Sequence, residues 1–235
     1  CRAGRGGDVA QQAGRRLHRF LAFGIAAAPE EPPGAAHPQQ HLLAAGVDLP
    51  RGEREVVALE LLREPDAWGE SFGFAANGVP FFAKGANWIP GDSFLPRVTP
   101  RHYRDRLTDA RDANMNMVRV WGGGLREKRA FYDLCDRMGI MVWQEFPLAC
   151  AFLGRFPRSP EYLRLLKRES EAIVRDLRGH PSVVLWCGGN EFSPGRNRPV
   201  VGVLRRSVNR LDPDRPFQTA SPAEGDSHNW KIWHG

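Results

Sequence analysis

The chain has 235 residues, of which 42% are hydrophobic and 10% aromatic, an ordinary composition for a protein with a globular core. It contains no stretch of about eighteen apolar residues, so no membrane span is predicted. The formal charge of +6 comes from arginines that are scattered among aspartates. Because binding to phosphates needs a clustered basic patch, we do not expect nucleic-acid binding.

The four cysteines show neither a CxxC pair nor a metal-ligand spacing with the seven histidines. We therefore expect no zinc site, no other metal and no cofactor. Cys135 and Cys187 fall within apolar patterns that predict buried free thiols. Such thiols indicate a reducing or redox-neutral compartment, which slightly favours the cytoplasm, and the sequence carries no signal for an oligomeric state.

Residues 1–50 are rich in Ala, Gly, Pro and Gln and show no periodic core pattern. The first residue is Cys rather than Met, so we expect the chain to begin inside a longer reading frame or after processing. The apolar run 20–28 follows three arginines and is typical either of a secretory signal or of one buried strand. Residues 55–62 alternate weakly, as the last strand of a preceding β-sandwich does.

From residue 77 onward, strand-like runs alternate with helical periodicity in the pattern of a βα protein. Thr99 is a predicted helix cap with Pro100 behind it, and Gly139 is a predicted helix end. The predicted strands are residues 79–88, 115–121, 140–146, 182–186 and 217–221, and the later helices are residues 127–138, 161–177 and 200–211.

Five right-handed βα units fit either an open doubly wound sheet or part of a barrel. A nucleotide-binding sheet carries its glycine fingerprint after the first strand, whereas Gly122-Gly123-Gly124 follows the second strand and lacks that spacing. The predicted fold is therefore α/β: a partial (β/α)8 TIM barrel of about five units, preceded by the remnant of an all-β sandwich. We assign residues 1–65 to that remnant and residues 66–235 to the barrel.

Polar and aromatic side chains follow four of the predicted strands, at the ends that form one rim in a barrel. Among them is Glu191, and a carboxyl group of raised pKa at such a rim can protonate a departing glycosidic oxygen. The alternative for Glu191 is a solvated helix start, and for Arg119 and Glu145 it is a structural contact. The rim residues are Asn87, Trp88, Arg119, Trp121, Gln144, Glu145, Asn190 and Glu191.

Four motifs at barrel spacing closely resemble β-mannosidases of glycoside hydrolase family 2, and the likeness covers residues 66–235. They are FAKGANWIP (82–90), NMNMVRVWGGG (114–124), FYDLCD (131–136) and WCGGNE (186–191), and HNWKIWHG (228–235) is similar to the segment after the fifth strand of that family.

The resemblance implies a sandwich, an immunoglobulin-like domain and a barrel that hydrolyses terminal β-D-mannosyl linkages of oligosaccharides or glycoconjugates with retention. It makes Glu191 the general acid/base, with Asn190 on the sugar 2-hydroxyl. Arg119 would lie under the site and keep a neighbouring carboxylate ionised. The other substrate-binding residues that it implies are Trp121, Trp88, Asn87, Asp92, Trp230 and Trp233.

The sequence also departs from the family pattern, which often has Asp-Phe-Met where this chain has Glu145-Phe146-Pro147 and two asparagines where it has Gly189-Asn190. The second catalytic glutamate of the family belongs to the seventh strand, and this sequence stops before the sixth. We therefore expect the chain alone to lack its nucleophile and to be inactive, since Glu224 and Asp226 follow the fifth strand. The alternatives are an inactive carbohydrate-binding fragment and a β-galactosidase or β-glucuronidase specificity, against which the Trp-Gly-Gly-Gly string argues.

Overall fold

The computed structural model describes residues 59–229 except residue 68, together with two short strands before them. The predictions for residues 1–41, 44–54, 57–58 and 230–235, and thus for Trp230 and Trp233, lie outside the described residues. The strands are β1 (Leu42–Leu43), β2 (Glu55–Val56), β3 (Leu59–Leu62), β4 (Pro65–Asp66), β5 (Gly69–Glu70), β6 (Gly73–Ala76), β7 (Val79–Phe81), β8 (Gly85–Trp88), β9 (Met117–Val120), β10 (Met141–Glu145), β11 (Val183–Cys187) and β12 (Phe217–Gln218). The α-helices are α1 (Pro100–Asp112), α2 (Arg129–Met138), α3 (Pro160–Leu177) and α4 (Arg198–Leu211), and short 3₁₀ turns cover Leu95–Arg97, Phe152–Gly154 and Gly195–Asn197.

Five parallel strands form the main sheet in the order β8, β9, β10, β11, β12. Each strand lies beside its predecessor, as barrel closure requires, whereas a doubly wound sheet reverses direction at a switch point. The predicted partial (β/α)8 barrel is therefore confirmed. Within the described part of the chain the sheet is open, and β8 and β12 are its edges.

The helix ends follow the predicted local chemistry. The Thr99 hydroxyl accepts a hydrogen bond from the backbone N–H of His102 at the start of α1, where Pro100 occupies the first position. Gly139 ends α2 with a φ of 67°, a left-handed conformation that glycine adopts without a steric penalty. None of the helices among the described residues is both long and apolar enough to cross a membrane.

Alternate residues of β9 and β10 contribute to two separate cores. Val118 and Val142 face the helices, where they pack with large side chains such as Phe131 and Leu204. On the inner face of the sheet, a second cluster joins it to the small antiparallel sheet β3-β6-β7. That cluster includes Phe74, Phe81, Met117, Met141, Trp143 and Cys187. The inner face is thus apolar at the start of the strands and, as shown below, polar at their ends.

The single strand predicted for residues 79–88 is wrong, because the structure contains two strands there. β7 pairs antiparallel with β6, while β8 pairs parallel with β9 in the barrel sheet. Between them, the Asn116 side chain accepts a hydrogen bond from the Lys84 N–H at 2.8 Å and donates one to the Phe82 carbonyl at 3.0 Å. Asn116, which is 32 residues from Lys84 in the sequence, therefore bonds the backbone groups that would otherwise continue the pairing of one long strand.

The fifth barrel strand is also shorter than predicted, since β12 covers only Phe217–Gln218 of residues 217–221. Ser221 is reached by an isolated bridge to Asn190, which in turn bridges Ala149. The loops that follow β10, β11 and β12 are thereby held side by side at the rim.

Candidate active site

Arg119, near the end of β9, connects three neighbouring strands. Its Nη2 donates to Glu145 Oε1 and to Asn190 Oδ1, both at 2.7 Å, and its Nη1 donates to Asn87 Oδ1 at 2.9 Å. The guanidinium carbon lies 5.7 Å from the centre of the Trp143 ring, a cation–π distance. One partly buried cation therefore orients groups at the ends of β8, β10 and β11.

Glu145 is the fully buried partner of Arg119, with no exposed side-chain surface. Its Oε2 accepts the Gly122 N–H at 2.7 Å, an approach that a side chain at residue 122 would obstruct, since an added Cβ would lie 2.6 Å from the Leu148 carbonyl oxygen. Burial raises the pKa of Glu145, and the charge and hydrogen bonds of Arg119 oppose that rise. Arg119 thus favours the ionised carboxylate as expected, but burial has the larger effect.

Glu191 lies beyond β11 with its backbone at a φ of 50°, a left-handed conformation that is uncommon for a side chain of this size. Its N–H donates to the Ser221 carbonyl at 2.7 Å, and the preceding Asn190 N–H donates to the Leu148 carbonyl at 2.9 Å. Backbone bonds to both adjacent loops therefore fix the strained position, as is common at functional sites.

The Glu191 carboxylate contacts two side chains from those loops. Oε1 lies 2.8 Å from His228 Nδ1, and Oε2 lies 3.7 Å from the Cys150 sulfur. The hydrogen bond from His228 lowers the pKa of Glu191, although partial burial opposes the effect. The direction is opposite to the raised value expected for a proton donor, because an imidazole that favours the ionised form lies against this carboxylate.

A cavity of about 450 Å³ opens at this rim. Five of the predicted site residues line it, namely Asn87, Arg119, Trp121, Asn190 and Glu191. Six residues that the sequence did not single out as site residues complete the lining: Trp143, Cys150, Ser221, Asp226, His228 and Asn229.

Two predicted site residues lie elsewhere. The Trp88 indole N–H donates to buried Glu127 at 2.9 Å, and its ring packs 4.7 Å from Phe131, within the cluster that faces the helices. Asp92 accepts hydrogen bonds from the Phe94 N–H and from Arg97, and these contacts lower its pKa. In this structure both residues hold the first rim loop in place rather than line the cavity.

Signals for some of the missed residues were present in the sequence. Trp143 precedes Glu145 by two residues on a strand, so the two share the inner face. The segment from Asp226 to Asn229 follows the fifth strand, where a barrel places rim loops. Cys150 carried no comparable signal, because long-range bonds to Asn190, from both its backbone and its side chain, fold its loop against the rim.

Asp133, Asp136 and His180 have ligand-type atoms within 4.8 Å of one another. His180 precedes β11, so this group lies at the amino end of the strands, away from the cavity. Asp136 Oδ2 lies 2.6 Å from His180 Nδ1, and Asp136 Oδ1 accepts a hydrogen bond from the Ser182 N–H at 3.0 Å. These contacts join α2 to the start of β11.

A partial barrel with a carboxylate at its rim is the arrangement found in the catalytic barrels of glycoside hydrolases. The family description "Glycosyl hydrolases family 2, TIM barrel domain" matches residues 107–231, more than half of the chain. The chain therefore belongs to glycoside hydrolase family 2.

Relatives of the chain include a β-mannosidase of Capra hircus, 47% identical over 196 residues that make up 74% of this chain and 22% of the relative. A β-mannosidase B of Emericella nidulans is 34% identical over 210 residues, which make up 75% of this chain and 25% of the relative. Among solved structures, the β-D-mannosidase of Dictyoglomus thermophilum is 43% identical with a TM-score of 0.69, and the match covers 75% of this chain and 24% of that one. The chain thus spans about a quarter of the length of the proteins that it matches.

Proposed function

We propose that the chain is part of the catalytic barrel of a retaining β-mannosidase that removes terminal β-D-mannose residues from oligosaccharides or glycoconjugates. The observation that carries the proposal is the Asn190-Glu191 pair beyond the fourth barrel strand, with both side chains on the cavity. Arg119 holds Asn190 through Oδ1, so the amide nitrogen, which lies 3.6 Å from the Cys150 sulfur, is the group that would face a sugar oxygen.

Glu191 acts as the acid/base of this reaction. A glycosidic oxygen leaves poorly unless it is protonated, and a carboxyl group at the rim supplies that proton before it activates water for the second step. The nucleophile must lie about 5 to 5.5 Å from it. A second carboxylate at that distance would raise the pKa of Glu191, against the lowering by His228.

The other carboxylates near the cavity already have hydrogen-bond partners. Glu145 is buried under the rim and bonded to Arg119 and Gly122. Asp226 accepts the Ser221 hydroxyl at 2.6 Å. We therefore assign the nucleophile to the seventh barrel strand, as the resemblance implies.

The test uses a completed enzyme, in which this chain is joined to the preceding domains and to barrel strands six to eight of the Dictyoglomus thermophilum β-mannosidase. It is assayed on aryl and unactivated β-mannosides, with β-galactosides and β-glucuronides in parallel. We expect turnover of the mannosides, and preference for another sugar would transfer the proposal to that specificity. Binding of mannosides without any turnover would support the carbohydrate-binding alternative.

Glu191→Ala tests the catalytic assignment in the same enzyme. We expect a loss of about 10²–10⁴-fold on substrates with poor leaving groups, but on activated aryl mannosides a burst followed by slow turnover. Added azide should restore the slow step, because it attacks without a general base. Glu169→Ala, on the exposed side of α3, is the matched control. Equal slowing of all substrates with no effect of azide would exclude Glu191 as the acid/base.

A further inference from the structure

Glu191 is the first member of a hydrogen-bond network of four side chains, Glu191, His228, Ser221 and Asp226, that runs along the cavity wall. His228 Nδ1 lies 2.8 Å from Glu191 Oε1, and His228 Nε2 lies 3.0 Å from Ser221 Oγ. The Ser221 hydroxyl in turn lies 2.6 Å from Asp226 Oδ2. The hydrogen-bond network thus has a carboxylate at each end, with an imidazole and a hydroxyl between them.

The number of hydrogens available to these four side chains constrains how the hydrogen-bond network is protonated. Ionised carboxylates supply no hydrogen, a serine hydroxyl supplies one, and a neutral imidazole supplies one. Three contacts of 2.6 to 3.0 Å need three hydrogens, because two lone pairs that face each other at such distances repel. One further proton must therefore reside on the imidazole or on one of the two carboxylates.

The other charged and polar groups around Glu191 lie outside this hydrogen-bond network. The Cys150 thiol and the Asn190 amide lie on its other side, and Arg119 reaches Glu191 only through Asn190. Beside Asp226, the Glu224 carboxylate is paired with Arg63 at 3.2 Å and with Arg205 at 3.9 Å. Asp226 has no such cation among the ion pairs of the described residues, which leaves Ser221 as its hydrogen-bond donor there.

We propose that Glu191, His228, Ser221 and Asp226 share one proton, and that His228 and Asp226 are positioning residues that hold it beside the acid/base. The inference rests on the proposed function and adds a means of controlling Glu191. In the catalytic step Glu191 carries a further proton on Oε2, the oxygen that does not face His228, and gives it to the glycosidic oxygen; the carbon–oxygen bond breaks with its electron pair on that oxygen and a new O–H bond forms. The shared proton, held between two anions, then compensates the charge left on Glu191.

The test measures kcat/KM against pH in the completed enzyme, on an unactivated β-mannoside. The basic limb of that profile reports the loss of the proton from the acid/base. Asp226→Asn removes one anion from the hydrogen-bond network, so the remaining members of the network should lose their protons at lower pH. Ser221→Ala breaks the connection without a change in charge and should act in the same direction. We expect each variant to move the limb down by about half to one pH unit, the effect of one partly buried charge.

Glu224→Gln is the matched control. It removes a negative charge two residues from Asp226, at a side chain that is not part of the hydrogen-bond network. It should leave the limb where it is, and thermal melting of each variant separates these effects from loss of folding. If Ser221→Ala leaves the limb in place, or if Glu224→Gln moves it as far as Asp226→Asn, the shared proton is excluded. A normal effect of Glu191→Ala in the same enzyme would then still support the proposed function.

A second measurement does not depend on activity. In the completed enzyme with ¹⁵N-labelled histidine, the ring signals of His228 are assigned by their absence in His228→Asn. A shared proton predicts that Ser221→Ala changes these ring nitrogen shifts strongly, while Glu224→Gln does not. Unchanged shifts in Ser221→Ala would overturn the proposal even if the enzyme hydrolysed no mannoside.

Discussion

Arg119 donates from a single nitrogen, Nη2, to both Asn190 and Glu145, each at 2.7 Å. The residue that precedes the proposed acid/base is therefore oriented by a cation whose own position depends on a buried carboxylate. The ion pair between Arg119 and Glu145 thus positions a residue of the candidate site.

Arg119→Ala should strongly destabilise the fold. Glu145 has no exposed side-chain surface, so loss of its partner leaves a buried charge uncompensated. The expected decrease in the free energy of unfolding is about 3–5 kcal/mol, measured by urea denaturation of the completed enzyme. Arg101→Ala, which breaks the exposed pair with Asp105, should cost less than about 0.5 kcal/mol. In the double variant Arg119→Ala/Glu145→Gln, most of the loss should be recovered, and an equal loss would contradict this account.

The contact between Glu191 and His228 predicts a pH-dependent contribution to stability. Because the pKa of Glu191 is lowered in the fold, the pair stabilises the protein above the ordinary value of 4.5, and this contribution is lost as pH falls through the folded pKa. The difference in unfolding free energy between the parent and Glu191→Gln should therefore be largest near neutral pH and shrink in acid. Denaturant titrations of the 235-residue chain at several pH values measure it, because the nucleophile of the completed enzyme would raise the same pKa. A difference that grew in acid would mean that the pKa is raised instead.

The 235-residue chain alone should not turn over an aryl β-mannoside. Retaining hydrolysis needs two carboxyl groups, and those near Glu191 are buried or engaged with other side chains. The assay compares this chain with the completed enzyme at equal concentration, each beside its Glu191→Ala variant. Turnover by the chain that Glu191→Ala abolishes would show that a second carboxylate within these residues serves as nucleophile.

The chain alone should also associate in solution. Within its described residues, β8 and β12 are edge strands of a parallel sheet, and unpaired edges recruit other strands. Light scattering and analytical ultracentrifugation measure this association, with the completed enzyme as the control. A dispersed monomer with a cooperative thermal transition would show that the open sheet is stable as it stands.

Local sequence was sufficient for much of the architecture. Thr99, Pro100 and Gly139 determine helix ends through bonds and dihedral angles within a few residues, so those predictions are confirmed. The rim positions of Arg119 and Asn190 followed from strand order alone, because parallel strands place their carboxyl ends on one side of a barrel.

Contacts between distant residues decided the rest. Asn116 divides the predicted first strand, and buried Glu127 holds the Trp88 indole among the residues that face the helices. Neither effect changes the hydrophobic periodicity, so the sequence alone did not reveal them. The contact of Glu191 with His228 spans 37 residues and depends on backbone bonds between the loops after β10, β11 and β12. The sequence thus determined that a carboxyl group stands at the rim, while the packing of these loops decided which groups share its hydrogen bonds and in which direction its pKa moves.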